Sequence, residues 1–319
     1  MTIDSIPLDE LISLRCADAT RAASVDPIGS AGGYACFLLV EWPLPWPRDV
    51  SEIEALRPVY DSVAAAGGRM QCVVPAHAGR ARVAFYRGSF DREGLAGPFR
   101  CVERVTAAED VVDVAREIVT TIAESDDVPP GDAPGAEVRN DVLICTHGRR
   151  DRCCGSMGTA LARVLAESAD GLGEHVRIGR TSHLGGHRYA PTALVLPQGT
   201  SWAFVDEDAL RRITTRSGSL DDLLPRYRGF AGHRHNLAQV LERHAFGEVG
   251  WAWLDHHRGA TVLGDGRIRF TATAPDGRVR AWEGTVTSRR IAVPVCGEPL
   301  DAATKTEDEL RLVEVHALA

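Results

Sequence analysis

An α/β fold is what this 319-residue sequence predicts, and three observations predict it. Two stretches on either side of a Pro/Gly-rich break share one order: a strand, a helix and two further strands. Each opens on a short apolar run that leads into an irregular loop, as a strand buried on both faces does. The last quarter alternates apolar and polar residues, which adds a β-rich C-terminal extension.

Residues 1–33 are polar and rich in Ala and Gly, with a helical patch near 8–15 and loop signals from Asp26-Pro-Ile-Gly29 to Gly32-Gly33. Residues 34–41 form the first apolar run, too brief for a helix. The prolines of Trp42-Pro-Leu-Pro-Trp-Pro47 stop it, because proline cannot continue a sheet ladder. Helical spacing over 51–66 ends at Gly67-Gly68, and strands at 70–74 and 82–86 and a helix over 107–123 complete the first half. Val128-Pro-Pro-Gly-Asp-Ala-Pro-Gly135 excludes regular structure. The expected units are therefore an N-terminal α/β domain at 1–127, a linker at 128–138, a second α/β domain at 139–231, and a helix plus β-rich extension at 232–319. In the second unit, strand 141–145, helix 156–167, strand 175–179 and strand 192–196 repeat the first unit's order, so the first half reads as a degenerate repeat. Helices over 206–215 and 233–244 follow, and Asp276-Gly277 between alternating runs marks a hairpin.

With 44% hydrophobic and 25% charged residues the chain can bury ordinary cores. A net charge of −8 and a pI near 5.8 argue against a nucleic-acid partner, which requires a basic surface. The N-terminus carries acids where a signal peptide carries positive charge, and no apolar run approaches a membrane span. A cytoplasmic protein with no membrane partner is expected. Eight cysteines are too few for a disulfide scaffold. Cys36 and Cys72 lie in apolar strand runs and read as small hydrophobes. Cys16, Cys101 and Cys296 have neither Cys nor His nearby in sequence and receive no role.

The chemistry is concentrated at the two ends of residues 141–189, Cys145-Thr-His-Gly-Arg-Arg-Asp-Arg-Cys153-Cys154-Gly155 and His183-Leu-Gly-Gly-His187. Cys145 ends a strand and Cys154 starts the next helix, with a loop between them long enough for both sulfurs to face one centre. His183 and His187 flank Gly185-Gly186, which favours a tight loop presenting two rings over a helix face. Two thiolates and two neutral imidazoles can complete a tetrahedral zinc site or the four terminal positions of a [2Fe–2S] cluster. Compact zinc modules space their cysteines by two to four residues, whereas this wider gap suits the larger cluster.

These residues resemble a known family. The Cys-x-His-Gly-x-x-Asp-x-x-Cys-Gly run, the stretch Arg180-Thr-Ser-His-Leu-Gly-Gly-His-Arg-Tyr-Ala-Pro-Thr192 and the upstream Phe37-Leu-Leu-Val-Glu-Trp-Pro-Leu-Pro-Trp46 are similar to the sucrase/ferredoxin-like family over roughly residues 30–230. The resemblance implies a thioredoxin-like ferredoxin domain holding one [2Fe–2S] cluster through Cys145, Cys154, His183 and His187. The family's second cysteine precedes glycine, which selects Cys154 and leaves Cys153 as the alternate; His147 is a second alternate. No pair of acids stands out for the glycosidase chemistry that "sucrase" implies.

The expected function is one-electron transfer to and from a redox protein partner, and the chain reads as a carrier more than as an enzyme with its own substrate. Two imidazoles in place of two thiolates raise the potential, and a solvent-facing imidazole makes it pH-dependent. The alternative is a zinc-binding structural protein using the same four residues. Arg149, Arg150, Arg152, Arg180 and Arg188 either offset charge, dock an acidic partner or form a solvated surface. A Cys-x₅-Arg phosphatase loop fails because Asp151 occupies the arginine position, Cys-x-x-Cys is absent, and Leu184-Gly-Gly186 lacks the general base of a zinc hydrolase.

Overall fold

Alternation along the strands decides how this chain packs. In β1 (Cys36–Glu41), Cys36, Leu38 and Val40 face one apolar cluster while Phe37 and Leu39 face another. In β5 (Asn140–Cys145), Val142 and Ile144 likewise point away from Leu143. A strand with two apolar faces must be covered on both sides. The computed structural model, which describes residues 15–123, 140–168, 172–173, 175–296, 303 and 305–318, shows what covers them. The Pro/Gly linker and almost all of the patch near 8–15 lie outside the described residues.

After α1 (Cys16–Ala22), the first unit runs β1, α2 (Arg57–Ala65), β2 (Arg69–Val73), β3 (Arg80–Phe90), β4 (Ala96–Ala107) and α3 (Val111–Ala123). The second runs β5, α4 (Thr159–Glu167), β6 (Val176–Thr181), β7 (Ala193–Leu196), β8 (Thr200–Trp202) and α5 (Glu207–Thr215). In both, the first and second strands are parallel, the third is antiparallel to the first, and the fourth is antiparallel to the third. Their spatial order is second, first, third, fourth. Then come β9 (Tyr227–Phe230), α6 (Asn236–Val249), and an antiparallel meander of β10 (His257–Gly264), β11 (Arg267–Thr273), β12 (Val279–Ala292) and β13 (Thr306–Leu318). Among the described residues this makes a mixed α/β fold of six α-helices around one 13-stranded sheet.

The two units join through a single antiparallel pair, Val73 with Thr181. Apolar side chains of the two units pack in one cluster: Phe37, Leu39 and Phe99 of the first with Leu143, Leu194 and Leu196 of the second. The Phe99 N–H also donates to the Pro197 carbonyl at 2.7 Å. Helices α2 and α3 cover one outer face, and α4, α5 and α6 cover the other.

One polar node sits between the units. The buried Asp141 carboxylate accepts from Arg82 at 2.9 and 3.3 Å, from the Tyr86 hydroxyl at 2.5 Å and from Arg177 at 3.4 Å. Both guanidiniums also reach Glu103, at 2.8 and 2.7 Å. Burying a carboxylate costs several kcal/mol unless it is paired and hydrogen-bonded, and here the donors come from both units.

Three local expectations change. The helix expected over 107–123 starts at Val111, after a 3₁₀ turn, and Ala107 closes β4, a strand the charged run Arg100-Cys-Val-Glu-Arg104 concealed. Trp251 and Trp253, within the stretch expected to be β-rich, lie instead in a 3₁₀ helix, Gly250–Asp255, with Trp253 in the core. The helix expected over 156–167 begins as a π-turn. The hairpin at Asp276-Gly277 is present: Gly277 has φ +85°, and the Ala274 N–H donates to the Arg278 carbonyl at 2.8 Å.

Candidate metal centre

The end of β5 and the start of α4 are held together by glycine. After Cys145 the chain turns through Thr146-His-Gly148 and enters the π-turn Cys154–Gly158, a distortion that recurs at functional sites. A Cβ on Gly158 would lie 2.0 Å from the Cys145 carbonyl oxygen, and one on Gly155 would lie 2.4 Å from the Gly148 Cα. Only hydrogen fits, so the turn presses onto the strand end and brings the Cys154 thiol onto the Cys145 sulfur. Trp42-Pro-Leu-Pro-Trp-Pro47 walls this corner: Trp46 is buried edge-on against His147, and the His147 Nε2–H donates to the Pro47 carbonyl at 2.8 Å.

The histidines come from the loop after β6. Gly185 and Gly186 have φ of +81° and +71°, left-handed values that glycine adopts freely, and they form the tight loop expected between the two rings. Beneath it lies buried Arg228, donating to the Gly185 carbonyl at 3.1 Å and the Ser30 carbonyl at 2.7 Å. Arg69 and Gln71, both from β2 of the first unit, donate to the His183 carbonyl, Gln71 at 3.2 Å. Asp151 supports the rings: Oδ2 is 2.8 Å from His183 Nδ1, and Oδ1 is 3.9 Å from His187 Nδ1.

Electrostatics favour a thiolate at Cys145. Donation from Cys154 drives its pKa well below the usual thiol range despite full burial, aided by His183 and the backbone N–H groups of His147 and Leu184. Cys154 in turn holds its proton, pushed up by that shared bond and by burial. Burial pulls the His183 pKa down, but Asp151 and the Cys145 thiolate more than reverse it. Burial likewise raises Asp151, and His183, His187 and Arg150 bring it below the ordinary carboxylate range.

The structure places the sequence-derived residues unequally. Cys145 interacts with both Cys154 and His183, although among the described residues the ligand atoms of these three do not all lie within 4.8 Å of one another. The His187 Nδ1 lies near Asp151 but also 3.1 Å from the Cys16 sulfur. Cys153 turns away from Cys145 toward Cys16 and Cys296, at 3.3 and 2.9 Å. The Nε2 of His147 is occupied by Pro47, while its Nδ1 is buried without a hydrogen-bond partner. Sequence reasoning had isolated Cys16 and Cys296. In fact Cys16, Cys145, Cys153 and Cys154 share one buried cluster with Cys296 packed against it. Asp151, which stands in the loop between Cys145 and Cys154, and Arg69, Gln71 and Arg228, which no local pattern announces, complete the surroundings of the rings.

The donor chemistry fits a soft-metal group. Two thiols are paired, and the His183 Nδ1 and Asp151 Oδ2 are buried with no aligned hydrogen bond. A cavity of 360 Å³ borders His147 and His183, with Arg48, Tyr60 and Arg69 in its wall. Among the arginines near the ligands, Arg149 and Arg152 are exposed, Arg150 pairs with Asp49 at 2.9 Å, and Arg188 is buried against Tyr189 and Glu307, at 2.6 and 2.8 Å. Among the described residues no helix is long and apolar enough to cross a membrane.

Comparison with known proteins gives one family and one relative. The sucrase/ferredoxin-like family profile matches residues 27–229. The relative is "Altered inheritance of mitochondria protein 32" of Meyerozyma guilliermondii, 41% identical over 59 residues, which are 18% of this chain and 21% of that protein. The similarity thus spans about a fifth of the relative's length. No solved structure matches.

Proposed function

The chain belongs to the sucrase/ferredoxin-like family, and on that premise we propose that it is a one-electron carrier whose ferredoxin site is Cys145, Cys154, His183 and His187. The observation that carries this reading is the pairing of Cys145 with Cys154 beneath a glycine loop that presents both imidazoles. The order of strands in the second unit, a parallel pair followed by an antiparallel pair with helices between and after, supports a thioredoxin-like framework for it. When bound, a [2Fe–2S] cluster would supply one reversible electron.

The chain's own residues do the rest. Cys145, whose pKa the neighbouring Cys154 and His183 lower, offers the first thiolate, and Cys154 would offer the second on losing its proton. Asp151 lies 2.8 Å from the His183 Nδ1 and adds its negative charge beside His187, as carboxylates behind metal-bound histidines do. Arg69, Gln71 and Arg228 fix the loop carbonyls so that the ring positions are set before anything binds. Two neutral imidazoles in place of thiolates withhold two negative charges, which places the potential above the roughly −400 mV of plant-type ferredoxins. Both rings are partly exposed, at 21% and 27%, so protons can reach them from solvent. Exposed Arg149 and Arg152 offer docking for an acidic redox partner in the cytoplasm. The relative's printed name raises a role in mitochondrial inheritance for that protein alone; the short overlap gives it little weight here.

The test is a potentiometric titration of the visible spectrum. A midpoint that falls with rising pH between about pH 6 and 9 is expected from histidine ligation, and His187→Cys should lower and flatten it. A pH-independent midpoint in the wild type would contradict histidine ligation.

A further inference from the structure

Next to the proposed ferredoxin site, and made of different side chains, lies a second sulfur centre. The Sγ atoms of Cys16, Cys153 and Cys296 form a closed triangle with sides of 3.3, 2.9 and 3.1 Å. These cysteines lie on α1, just before the π-turn, and after β12, separated by 137, 143 and 280 residues. Cys16 and Cys153 are fully buried and Cys296 is partly exposed.

Three readings compete for such a triangle. Disulfide bonding requires a sulfur–sulfur distance of about 2.05 Å; none of the three sides approaches it, and three thiols cannot all pair. Simple packing accounts for Cys36 and Cys72, each alone among apolar side chains on its strand. It does not account for three sulfurs from remote segments converging on each other. Metal ligation does. Bonds of about 2.3 Å to a tetrahedral ion separate thiolate sulfurs by about 3.8 Å, so each side of the triangle needs to open by less than about 1 Å.

We propose that Cys16, Cys153 and Cys296 bind one soft d¹⁰ cation, Zn²⁺ or Cu⁺, as a three-thiolate site separate from the ferredoxin ligands. Thiolates select these ions over hard cations. Binding replaces three thiol protons, which pass to solvent. The fourth position lies open on the partly exposed Cys296 side. Such a cation clasps α1 and the segment after β12 onto the π-turn.

The experiment measures iron, zinc and copper together in the full-length protein purified under reducing, anaerobic conditions, with X-ray absorption at the zinc or copper edge. One zinc or copper per chain with three sulfur neighbours at about 2.3 Å is expected, falling at least tenfold in Cys296→Ser while iron stays at the wild-type level. Metal bound with two sulfurs and two nitrogens, or metal retained in Cys296→Ser but lost in Cys145→Ser, would place it at the four-residue site and overturn the proposal. So would a Cys153–Cys296 disulfide found by differential alkylation, or no zinc or copper after incubation with one equivalent of each. Should Cys296→Ser not fold, the wild-type sulfur count decides alone. Iron is read independently, so loss of the ferredoxin reading and loss of this one are separate results.

Discussion

The two α/β units share one plan and differ in what stands at their strand ends. In the second unit β5 ends on Cys145 and β6 runs into Ser182-His183; in the first, the corresponding β1 ends on Glu41 before Trp-Pro, and β2 on Val73 before Val74-Pro75. The first unit has thiols of its own, Cys36, Cys72 and Cys101, but they lie on strands with no other thiol paired to them among the described residues, where burial pushes their pKa values up to about 11, about 12 and about 12. The second unit places its thiols at strand and turn ends, where N–H groups and a neighbouring thiol stabilise a thiolate. Topology alone therefore does not make the site; loop chemistry at the ends of the strands does. Nor is the first unit idle, since its Arg69 and Gln71 hold the His183 carbonyl and its Trp46 walls the Cys145 corner.

Removing one thiol from each unit separates their roles. Cys145→Ala should abolish iron binding, whereas Cys72→Ala should leave the iron content unchanged and cost only a cavity, about 1–2 kcal/mol. Metal analysis and thermal melts check both; iron loss in Cys72→Ala would erase the distinction between the units.

Next in size is the node joining them. Asp141→Ala leaves Arg82 buried without its main partner and should destabilise the protein by about 3–5 kcal/mol, measured by urea unfolding. A change below about 1 kcal/mol would show that water replaces the carboxylate.

His233 lies just beyond the second unit, between β9 and α6, and is buried. Burial, with the Arg258 charge adding, depresses its pKa from 6.5 to about 3. The unfolded chain therefore binds more protons between those values, so stability rises with pH there. Acidification from about pH 6.5 toward 3 should remove on the order of 4 kcal/mol, and His233→Phe should flatten that part of the profile. An unchanged slope in the variant would assign the acid sensitivity elsewhere.

Smallest is Gly186→Ala. Its positive φ and the Arg228 guanidinium 2.5 Å from the new Cβ should cost about 1–2 kcal/mol. Iron affinity should fall more than stability does, because the loop carries both histidines; equal losses would mean that the loop only packs.

Much of this organisation was legible in the sequence, for identifiable reasons. Continuous apolar runs marked β1 and β5 because both their faces are buried, and Asp276-Gly277 marked its hairpin because that turn demands those residues. The strand β4 was hidden because Glu103 and its neighbours are charged, a pattern that makes sense only once Arg82 and Arg177 bridge Glu103 to Asp141. The Trp253 turn was hidden because large aromatics alternate by chance in a helix too short for its period to register. Cys145, Cys154, His183 and His187 were visible as local clusters. Cys16 and Cys296 were not, since only the tertiary fold closes the 280 residues between them.

The central claim is tested most directly by the visible spectrum of anaerobically purified protein with iron, sulfide and zinc counted in the same sample. A red-brown protein with about two irons and two sulfides per chain, both lost in Cys145→Ser, is the predicted result. A colourless protein holding no iron, with a zinc that Cys145→Ser removes, would contradict it and make these four residues a structural clasp.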